Sequence, residues 1–277
     1  MEIEQNIWKT TISSWLVKMD HSIKTKDGLE ISIYELNHLE DNTVLTDWAN
    51  HFRNHYCLDE HIDILRQGTG FSRKEYLLNL KFPDVSTAPG PSIRAGDFGE
   101  IFTADYLEFV LGYWVPRTRY FDKNIRNESS KGSDTIGFLF EKVDSESPND
   151  QLIICESKAK FSGNDPSDSL QLAVNDSAKD IIRKAESLNA MKQKFLIKNE
   201  LLNVQKVTRF QNEVDNPYVL RYGAVSHVDI NTFDISTIAE TDCSKHPHRN
   251  ILNLIVIKGN EMMKLVHSLF NRAADEA

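Results

Sequence analysis

The stretch Leu152-Ile-Ile-Cys-Glu-Ser-Lys-Ala-Lys-Phe161 decides the fold, because an apolar half turns abruptly polar. Side chains alternate between the two faces of a β-strand, so Glu156 and Lys158 share the face of Ile154. Along the strand these two polar side chains lie about 6.5–7 Å apart, which is close enough to serve one small site. The sequence therefore predicts a buried strand that ends in a polar site.

A second strand, predicted over residues 133–140, supplies another acid. Asp134 stands at the entrance of this strand, and a polar loop over residues 144–150 connects its end to the strand of Glu156. If the two strands pair antiparallel, the polar start of one meets the polar end of the other. Asp134 and Glu156 are then expected to converge.

Two converging carboxylates suit a hard divalent ion such as Mg²⁺, for which Mn²⁺ is a substitute. Such an ion polarises a phosphodiester and lowers the pKa of a bound water. Lys158 would orient that water, help to deprotonate it, or stabilise the charge that develops on the phosphate. The predicted catalytic residues are Asp134, Glu156 and Lys158, and the sequence leaves the three roles of the lysine open.

Two flanking helices add further candidates. A helix predicted over residues 92–111 carries Glu100 in line with apolar residues. A carboxylate that points inward is costly unless it is paired, and a metal site or a lysine would be such a partner. Glu100 is therefore a candidate third acid and metal ligand of the site. A long helix that opens at residue 167 or 168 carries Gln171, which could hold the substrate or Lys158.

The remaining pattern predicts two parts of the chain. Residues 82–92 hold three prolines and a glycine, which suits a linker or surface loop. Residues 1–90 are predicted to form a small α+β region, and residues 91–277 a domain with strands at 113–120, 133–140 and 152–161 between two helices, then strands at 218–230 and 251–257. The predicted fold class is α/β (α+β), and three consecutive strands allow a meander.

Charge constrains the partners of the chain. Its 277 residues carry 32 basic and 41 acidic side chains, a formal net charge of −9. This balance excludes a histone-like basic coat, because non-specific binding to nucleic acid depends on neutralising phosphates. Basic residues nevertheless gather beside the predicted site, where they are candidates to contact DNA phosphates. The candidates for substrate binding are Arg117, Arg119 and Lys123, with Arg126 and Lys131 in the same cluster.

The chain is expected to be cytoplasmic and to have no membrane partner. No apolar run approaches the roughly 18–20 residues that span a bilayer. The three cysteines, Cys57, Cys155 and Cys243, are scattered along the sequence. This usage fits a reducing compartment rather than a framework of disulfides.

These residues resemble the PD-(D/E)xK nuclease superfamily. Its core is a helix, a three-strand meander, a helix and a further strand, in a mixed sheet flanked by helices. The resemblance places the metal acids at Asp134 and Glu156, the lysine at Lys158 and the helix acid at Glu100; some branches have a glutamine where Gln171 stands. One departure is that residues 132–133 are Gly-Ser where the superfamily name implies proline, a position that is variable.

Within that superfamily the chain is similar to the HamA family. The similar stretches are Trp48-Ala-Asn-His-Phe-Arg-Asn-His-Tyr-Cys57, Gly96-Asp-Phe-Gly-Glu100, Val115-Pro-Arg-Thr-Arg-Tyr120 and Gly132-Ser-Asp-Thr-Ile-Gly-Phe138. HamA is the nuclease-like subunit of the Hachiman anti-phage system. The resemblance implies a Mg²⁺-dependent DNA endonuclease or nickase that a helicase subunit, HamB, holds inactive and releases. It also suggests that residues 1–90 bind the partner.

Other interpretations compete with this one. Glu156 and Lys158 could form a plain surface ion pair, worth roughly 0–1 kcal/mol. The chain could be a catalytically silent binding or regulatory subunit that keeps the nuclease fold. A third alternative is a zinc-stabilised interaction module built on His51, His55, Cys57 and His61, although the spacing matches no familiar four-ligand site.

Overall fold

A computed structural model of the chain describes residues 7–20, 22–121, 123, 125–128 and 132–277. Lys131 of the basic cluster lies outside the described residues. Within them, seven strands form one sheet in the order β1-β3-β7-β6-β5-β4, and β2 pairs with β3 beside this path. The strands are β1 (Leu16–Lys18), β2 (Ile23–Lys24), β3 (Glu30–Leu36), β4 (Thr135–Leu139), β5 (Gln151–Lys160), β6 (Val219–Asp229) and β7 (Leu252–Gly259).

Helices cover both faces of the sheet. They are α1 (Ile7–Trp15), α2 (Asn42–Tyr56), α3 (Asp59–Arg66), α4 (Arg73–Tyr76), α5 (Gly90–Asp105), α6 (Ser169–Ser177), α7 (Asp180–Ile197), α8 (Leu201–Thr208), α9 (Ile235–Ala239) and α10 (Met262–Asp275). One apolar core lies between the sheet and α1, α2, α5 and α10. The other lies between the sheet and α6, α7 and α8. The predicted mixed α/β class is confirmed, with a mixed sheet between two layers of helices.

The register of β4 and β5 confirms the antiparallel pairing that the sequence predicted. Thr135 lies opposite Cys155 and Phe138 opposite Leu152. The alternation along β5 is also as predicted, because Leu152 and Ile154 contribute to one core and Cys155 to the other. Strands β5, β6, β7 and β3 then run parallel to one another.

The predicted strand over residues 113–120 is wrong. In the structure this segment forms one isolated antiparallel bridge, between Trp114 and Phe138, and does not extend into a ladder of paired residues. Pro116 has no N–H to donate to a ladder. The side chains of Arg117 and Arg119 turn to carboxylates on neighbouring elements. The segment is therefore extended chain along β4, held by side-chain ion pairs.

The single long helix predicted to begin at residue 167 or 168 is in fact two helices. Helix α6 ends at Ser177, and α7 begins at Asp180 after a turn. Asp176 near the end of α6 and Asp180 at the start of α7 thus flank the break. The break matters because both carboxylates interact with residues of the predicted site.

Strands from both sides of residue 90 belong to the same sheet. Strand β3 pairs in parallel with β7, with Ile33 opposite Val256. On the helical layer, the Arg53 guanidinium of α2 donates to the carbonyl oxygen of Ala273 in α10 at 2.9 Å. The division into residues 1–90 and 91–277 stays a prediction, and the two parts share one sheet. In the described part of the chain, no helix is both long and apolar enough to cross a membrane.

Candidate functional site

Asp134, Glu156 and Lys158 meet where β5 turns polar. Asp134 Oδ2 accepts a hydrogen bond of 3.0 Å from the backbone nitrogen of Ser157. Lys158 Nζ lies 2.7 Å from Glu156 Oε1 and 2.8 Å from Asp176 Oδ2. Glu156 is buried, whereas the Lys158 side chain keeps 30% of its surface exposed. A buried carboxylate and a partly exposed ammonium thus lie side by side at the sheet edge.

Glu100 reaches these acids through an arginine. Arg119 Nε lies 2.8 Å from Glu100 Oε2, and a terminal nitrogen of Arg119 lies 2.8 Å from Asp134 Oδ1. The Tyr120 hydroxyl also donates to Glu100. The structure therefore brings Glu100 close to Asp134, with a guanidinium bridging the two carboxylates.

A glycine allows α5 to lie close enough to the sheet for this contact. A Cβ at Gly99 would lie 3.1 Å from His227 Cδ2 and 3.3 Å from Ser157 Oγ, which is tighter than nearly all real Cβ contacts. Glu100 is the next residue, and its carbonyl oxygen accepts from Thr135 Oγ1 at 3.4 Å. Close helix–strand packing thus places the Glu100 side chain next to the start of β4.

Asp180 is a fourth acid that the sequence interpretation missed. It is fully buried, and its Oδ1 accepts a hydrogen bond of 2.8 Å from Ser133 Oγ. Among the described residues, Asp180 Oδ2 and Glu156 Oε2 have no hydrogen-bond partner. In the sequence, the one signal for Asp180 is its spacing of four from Asp176 within an otherwise apolar periodic pattern. Glu100, Asp134, Glu156 and Asp180 are called the acidic cluster below.

Burial makes negative charge unfavourable in the acidic cluster. Burial and the neighbouring Asp134 carboxylate raise the pKa of Glu156 to about 7, although Lys158 opposes this shift. Burial, with Asp134 nearby, raises the pKa of Asp180 to about 6. The same two causes raise the pKa of Glu100 well above its usual value. An added cation would relieve this cost, because opposite charge favours the ionised carboxylate.

The two cations of the site are held in their charged forms. Burial disfavours the Lys158 ammonium, but hydrogen bonds to Asp176 and Glu156 outweigh it and raise the pKa of Lys158. Burial likewise disfavours the Arg119 guanidinium, but Glu100 and Asp134 raise its pKa. Both side chains therefore carry a positive charge at neutral pH.

Two basic residues predicted to contact DNA are engaged by carboxylates in the structure. A terminal nitrogen of Arg117 lies 2.8 Å from Asp105 Oδ1, and Arg117 also pairs with Glu108. Lys123 Nζ lies 2.7 Å from Asp97 Oδ2, and its side chain is 6% exposed. Their role toward DNA stays a prediction.

Gln171 contacts a loop rather than Lys158. Its Oε1 accepts from the backbone nitrogen of Asp242 at 2.7 Å, and its Nε2 donates to the Asp242 carbonyl oxygen at 3.1 Å. Asp176, rather than Gln171, contacts Lys158. Substrate binding by Gln171 stays a prediction.

A cavity of about 130 Å³ opens beside the acidic cluster, between α5, residues 115–120, β4 and α7. Its apolar lining includes Ile101, Val115 and Ile136. Charged residues of both signs also line it, namely Glu100, Arg117, Arg119, Asp134 and Lys194. Glu100 and Asp134 are the members of the acidic cluster that line this cavity, so small polar molecules can reach these two acids from this side.

A second polar group lies farther along α5. His51 and His55 are one turn apart on α2, and they meet Asp105 of α5 with all three ligand atoms within 4.8 Å of one another. No other described residues form such a group, and neither Cys57 nor His61 belongs to it. Burial, with Arg117 and His51 nearby, lowers the pKa of His55 well below its usual value, so its imidazole is neutral. His51, His55 and Asp105 are called the histidine cluster below.

The fold and the site define a class, a mixed α/β protein with buried carboxylates and a lysine at the edge of its sheet. The chain belongs to the HamA family, whose family model matches residues 10–273. HamA is the nuclease-fold subunit of the Hachiman system, so membership implies a subunit of an anti-phage defence complex. A search of curated proteins gives no match to the chain.

Proposed function

We propose that the chain is a metal-dependent DNA endonuclease or nickase, the effector of a Hachiman defence complex that a HamB-like helicase subunit controls. One observation carries the proposal. Glu156 is buried beside Asp134 and Lys158, and its Oε2 has no hydrogen-bond partner among the described residues. A half-satisfied buried carboxylate next to a second acid is the arrangement that a divalent ion stabilises.

The donor set fits Mg²⁺, with Mn²⁺ as a substitute, because it consists of carboxylate oxygens. Asp134 and Glu156 would hold the ion, and Asp180 is a further candidate because its Oδ2 lacks a hydrogen-bond partner among the described residues. Glu100 would join if Arg119 released it. When bound, the ion polarises the scissile phosphate and lowers the pKa of a bound water.

Lys158 acts as a cation in this proposal, not as a base. Its pKa is raised by its two carboxylate partners, so its ammonium does not accept a proton at neutral pH. Its side chain is 30% exposed, so a phosphate can approach it from solvent. Lys158 would therefore stabilise the negative charge that develops on the phosphate during hydrolysis.

Arg119 and Arg117 are the proposed contacts for the DNA backbone at the cavity. Each is paired with carboxylates in the structure. Phosphate and carboxylate oxygens both accept hydrogen bonds from the fork of a guanidinium, so a DNA phosphate can replace a carboxylate partner. Lys123 is buried against Asp97, so it would contact DNA only if it left that carboxylate.

The PD-(D/E)xK core is part of the proposal. Helix α5, strands β4 and β5, helix α6 and strand β6 occur along the chain in the order of that core, with α7 and α8 inserted before β6. In the place of the core's first strand, residues 113–120 contribute one isolated bridge, from Trp114 to Phe138 of β4. Asp134 immediately precedes β4 and Glu156 lies on β5, which supports the proposed assignment of these two acids.

Residues 1–90 are the proposed binding region for the helicase. In α3, Ile64 exposes 71% of its surface and Leu65 exposes 45%. Apolar side chains exposed together are typical of protein interaction sites. Replacing both with aspartate would weaken co-elution of the chain with its helicase partner, while leaving its far-ultraviolet circular dichroism unchanged.

The second candidate function is a nuclease-fold subunit without turnover. The observation that favours it is the Arg119 guanidinium, which bridges Glu100 and Asp134 at 2.8 Å to each. A structural ion network of this kind has no need of a metal. The two functions differ in one outcome, because the silent subunit would cut no form of DNA with Mg²⁺ or Mn²⁺, alone or with the helicase.

A nicking assay tests the proposal. Supercoiled plasmid is incubated with the chain, alone and with the helicase subunit, in Mg²⁺ and in excess chelator. Glu156→Gln and Lys158→Ala should remove cleavage. Glu261→Gln and Lys264→Ala are the matched controls, because they change an exposed Glu–Lys pair on another face and should cut normally. Full activity in chelator, or in either site variant, would overturn the proposal.

A further inference from the structure

The histidine cluster has the geometry of a metal site that is chemically different from the acidic cluster. His51 Nε2 lies 3.3 Å from His55 Nε2 and 2.8 Å from Asp105 Oδ1. Zinc–nitrogen bonds of about 2.0–2.1 Å at a tetrahedral ion place two nitrogens about 3.3–3.4 Å apart. The two imidazoles are thus already at the separation that zinc requires.

We propose that His51, His55 and Asp105 form a second metal site, which binds a divalent transition-metal ion with zinc as the preferred occupant. Two imidazole nitrogens and one carboxylate oxygen suit an ion of borderline softness. Mg²⁺ prefers oxygen ligands alone, so it would not compete effectively here. The site therefore does not depend on the proposed nuclease function.

The surrounding structure orients the ligands. A spacing of four residues on α2 places both imidazoles on one face of the helix, as in other helical zinc sites. The other carboxylate oxygen of Asp105, Oδ2, accepts a hydrogen bond of 2.9 Å from Trp8 Nε1. Hydrogen bonds of this kind fix a ligand before the ion arrives and raise metal affinity.

Among the described residues, Arg117 is the cation that contacts the histidine cluster, and it has another partner. One of its terminal nitrogens lies 2.8 Å from Asp105 Oδ1 and 3.3 Å from His55 Nε2. Its Nε donates to Glu108 Oε2 at 2.9 Å, and its other terminal nitrogen lies 2.5 Å from the same oxygen. A bound ion can therefore take the oxygen of Asp105 while the guanidinium stays paired with Glu108.

An ion at this position would fasten the N-terminal helices to the rest of the chain. His51 and His55 come from α2, and Asp105 is the last residue of α5. His55 and Arg117 also line the cavity beside the acidic cluster, so a fourth ligand such as water can enter from there. The proposed effect of zinc is stabilisation of the contact between α2 and α5.

Metal content tests the proposal. The full chain is equilibrated with micromolar zinc, desalted and measured by mass spectrometry. We expect equimolar zinc in the wild type. The control His61→Gln, whose imidazole is half-exposed on α3, should also bind equimolar zinc. In His55→Gln the zinc content should fall at least about tenfold, because removal of a ligand lowers metal affinity. Glutamine at 55 keeps an acceptor for Arg117 but offers no imidazole.

A second measurement does not require any variant. Co²⁺ bound in place of zinc should give the intense visible absorption of a tetrahedral nitrogen–oxygen site, and zinc should abolish it. Wild-type chain that retains no zinc and develops no Co²⁺ absorption would overturn the proposal, as would equal zinc in the wild type and in folded His55→Gln.

Discussion

The acidic cluster and the histidine cluster both lie beside α5, but their buried charges are balanced differently. In the histidine cluster, both oxygens of Asp105 are occupied, by Trp8 on one side and by His51 and Arg117 on the other. In the acidic cluster, Glu156 and Asp180 each leave one buried oxygen without a partner among the described residues.

The shifts in pKa follow this difference. Burial opposes ionisation of Asp105, but His51 and Arg117 outweigh it and lower its pKa below the usual range. In the acidic cluster the carboxylates face one another, and the pKa of Glu156 rises to about 7. Burial alone therefore does not decide the charge of an acid. The donors around it do, and the acidic cluster has too few of them for its four carboxylates.

The largest expected effect comes from a substitution in the acidic cluster. Glu156→Gln should lower DNA nicking at least about 100-fold, because loss of a single charge-stabilising group in a buried site costs that much. Turnover in a plasmid assay with the helicase subunit measures it. The histidine-cluster variant His55→Gln should keep most of the nicking activity, provided that its melting temperature is near that of the wild type.

A second prediction separates the two clusters by metal type. Binding of Mn²⁺, followed by electron paramagnetic resonance, should be lost in Glu156→Gln and unchanged in His55→Gln. Zinc content should show the reverse pattern, because oxygen ligands and imidazole ligands select different ions. If both variants lost binding of the same ion, the two clusters would not bind metal independently.

A smaller effect is expected at Asp180. Asp180→Asn keeps the size of the side chain and a partner for Ser133 Oγ, but it removes one charge from the acidic cluster. Mn²⁺ affinity should fall by about tenfold, the scale of changes to groups that support a metal site. Asp176→Asn is a useful comparison, since Asp176 touches Lys158 and should affect turnover more than Mn²⁺ affinity. Unchanged Mn²⁺ binding in Asp180→Asn would place Asp180 outside the site.

The smallest effect is on stability as pH changes. The folded chain holds protons on Glu156 and Asp180 to pH values of about 7 and 6, whereas the unfolded chain releases them near 4.5 and 3.8. Since the folded state then binds more protons, the stability of the metal-free chain should fall as pH rises from about 4 to about 7. The contribution of Asp105 to stability has the opposite dependence on pH. Because its pKa is lowered in the folded chain, this stability is lost only on acidification below about pH 4.

Melting temperatures in chelator between pH 5 and pH 8 measure this trend. We expect a shallower decline in Glu156→Gln, which has no charge to gain, and recovery of the wild type above pH 6 on adding Mg²⁺. A wild-type melting temperature that rises over this range would contradict the assignment of raised pKa values to the acidic cluster.

The predictable part of the site was the part set by local geometry. Alternation along one strand placed Glu156 beside Lys158, and a short loop between antiparallel strands brought Asp134 to Ser157. The mixed α/β class followed from the same strands and helices. These relations depend on neighbours in sequence, so spacing alone reveals them.

The parts that were missed depend on residues far apart in the chain. Asp105 meets His51 across 54 positions, and no spacing rule links them. The ion pairs of Arg119 with Glu100 and Asp134 join residues 19 and 15 positions apart, and no local pattern predicts them. Asp180 was hidden because the apolar stripe continues through the break between α6 and α7, so periodicity predicted one helix.

Anomalous diffraction from crystals of the chain soaked in Mn²⁺ tests the central claim most directly. The account predicts an anomalous peak bounded by carboxylate oxygens of Asp134 and Glu156, with Lys158 beside it, and no such peak in Glu156→Gln crystals. Crystals that bind no Mn²⁺ there, with Arg119 still bridging Glu100 and Asp134 at saturating Mn²⁺, would contradict it.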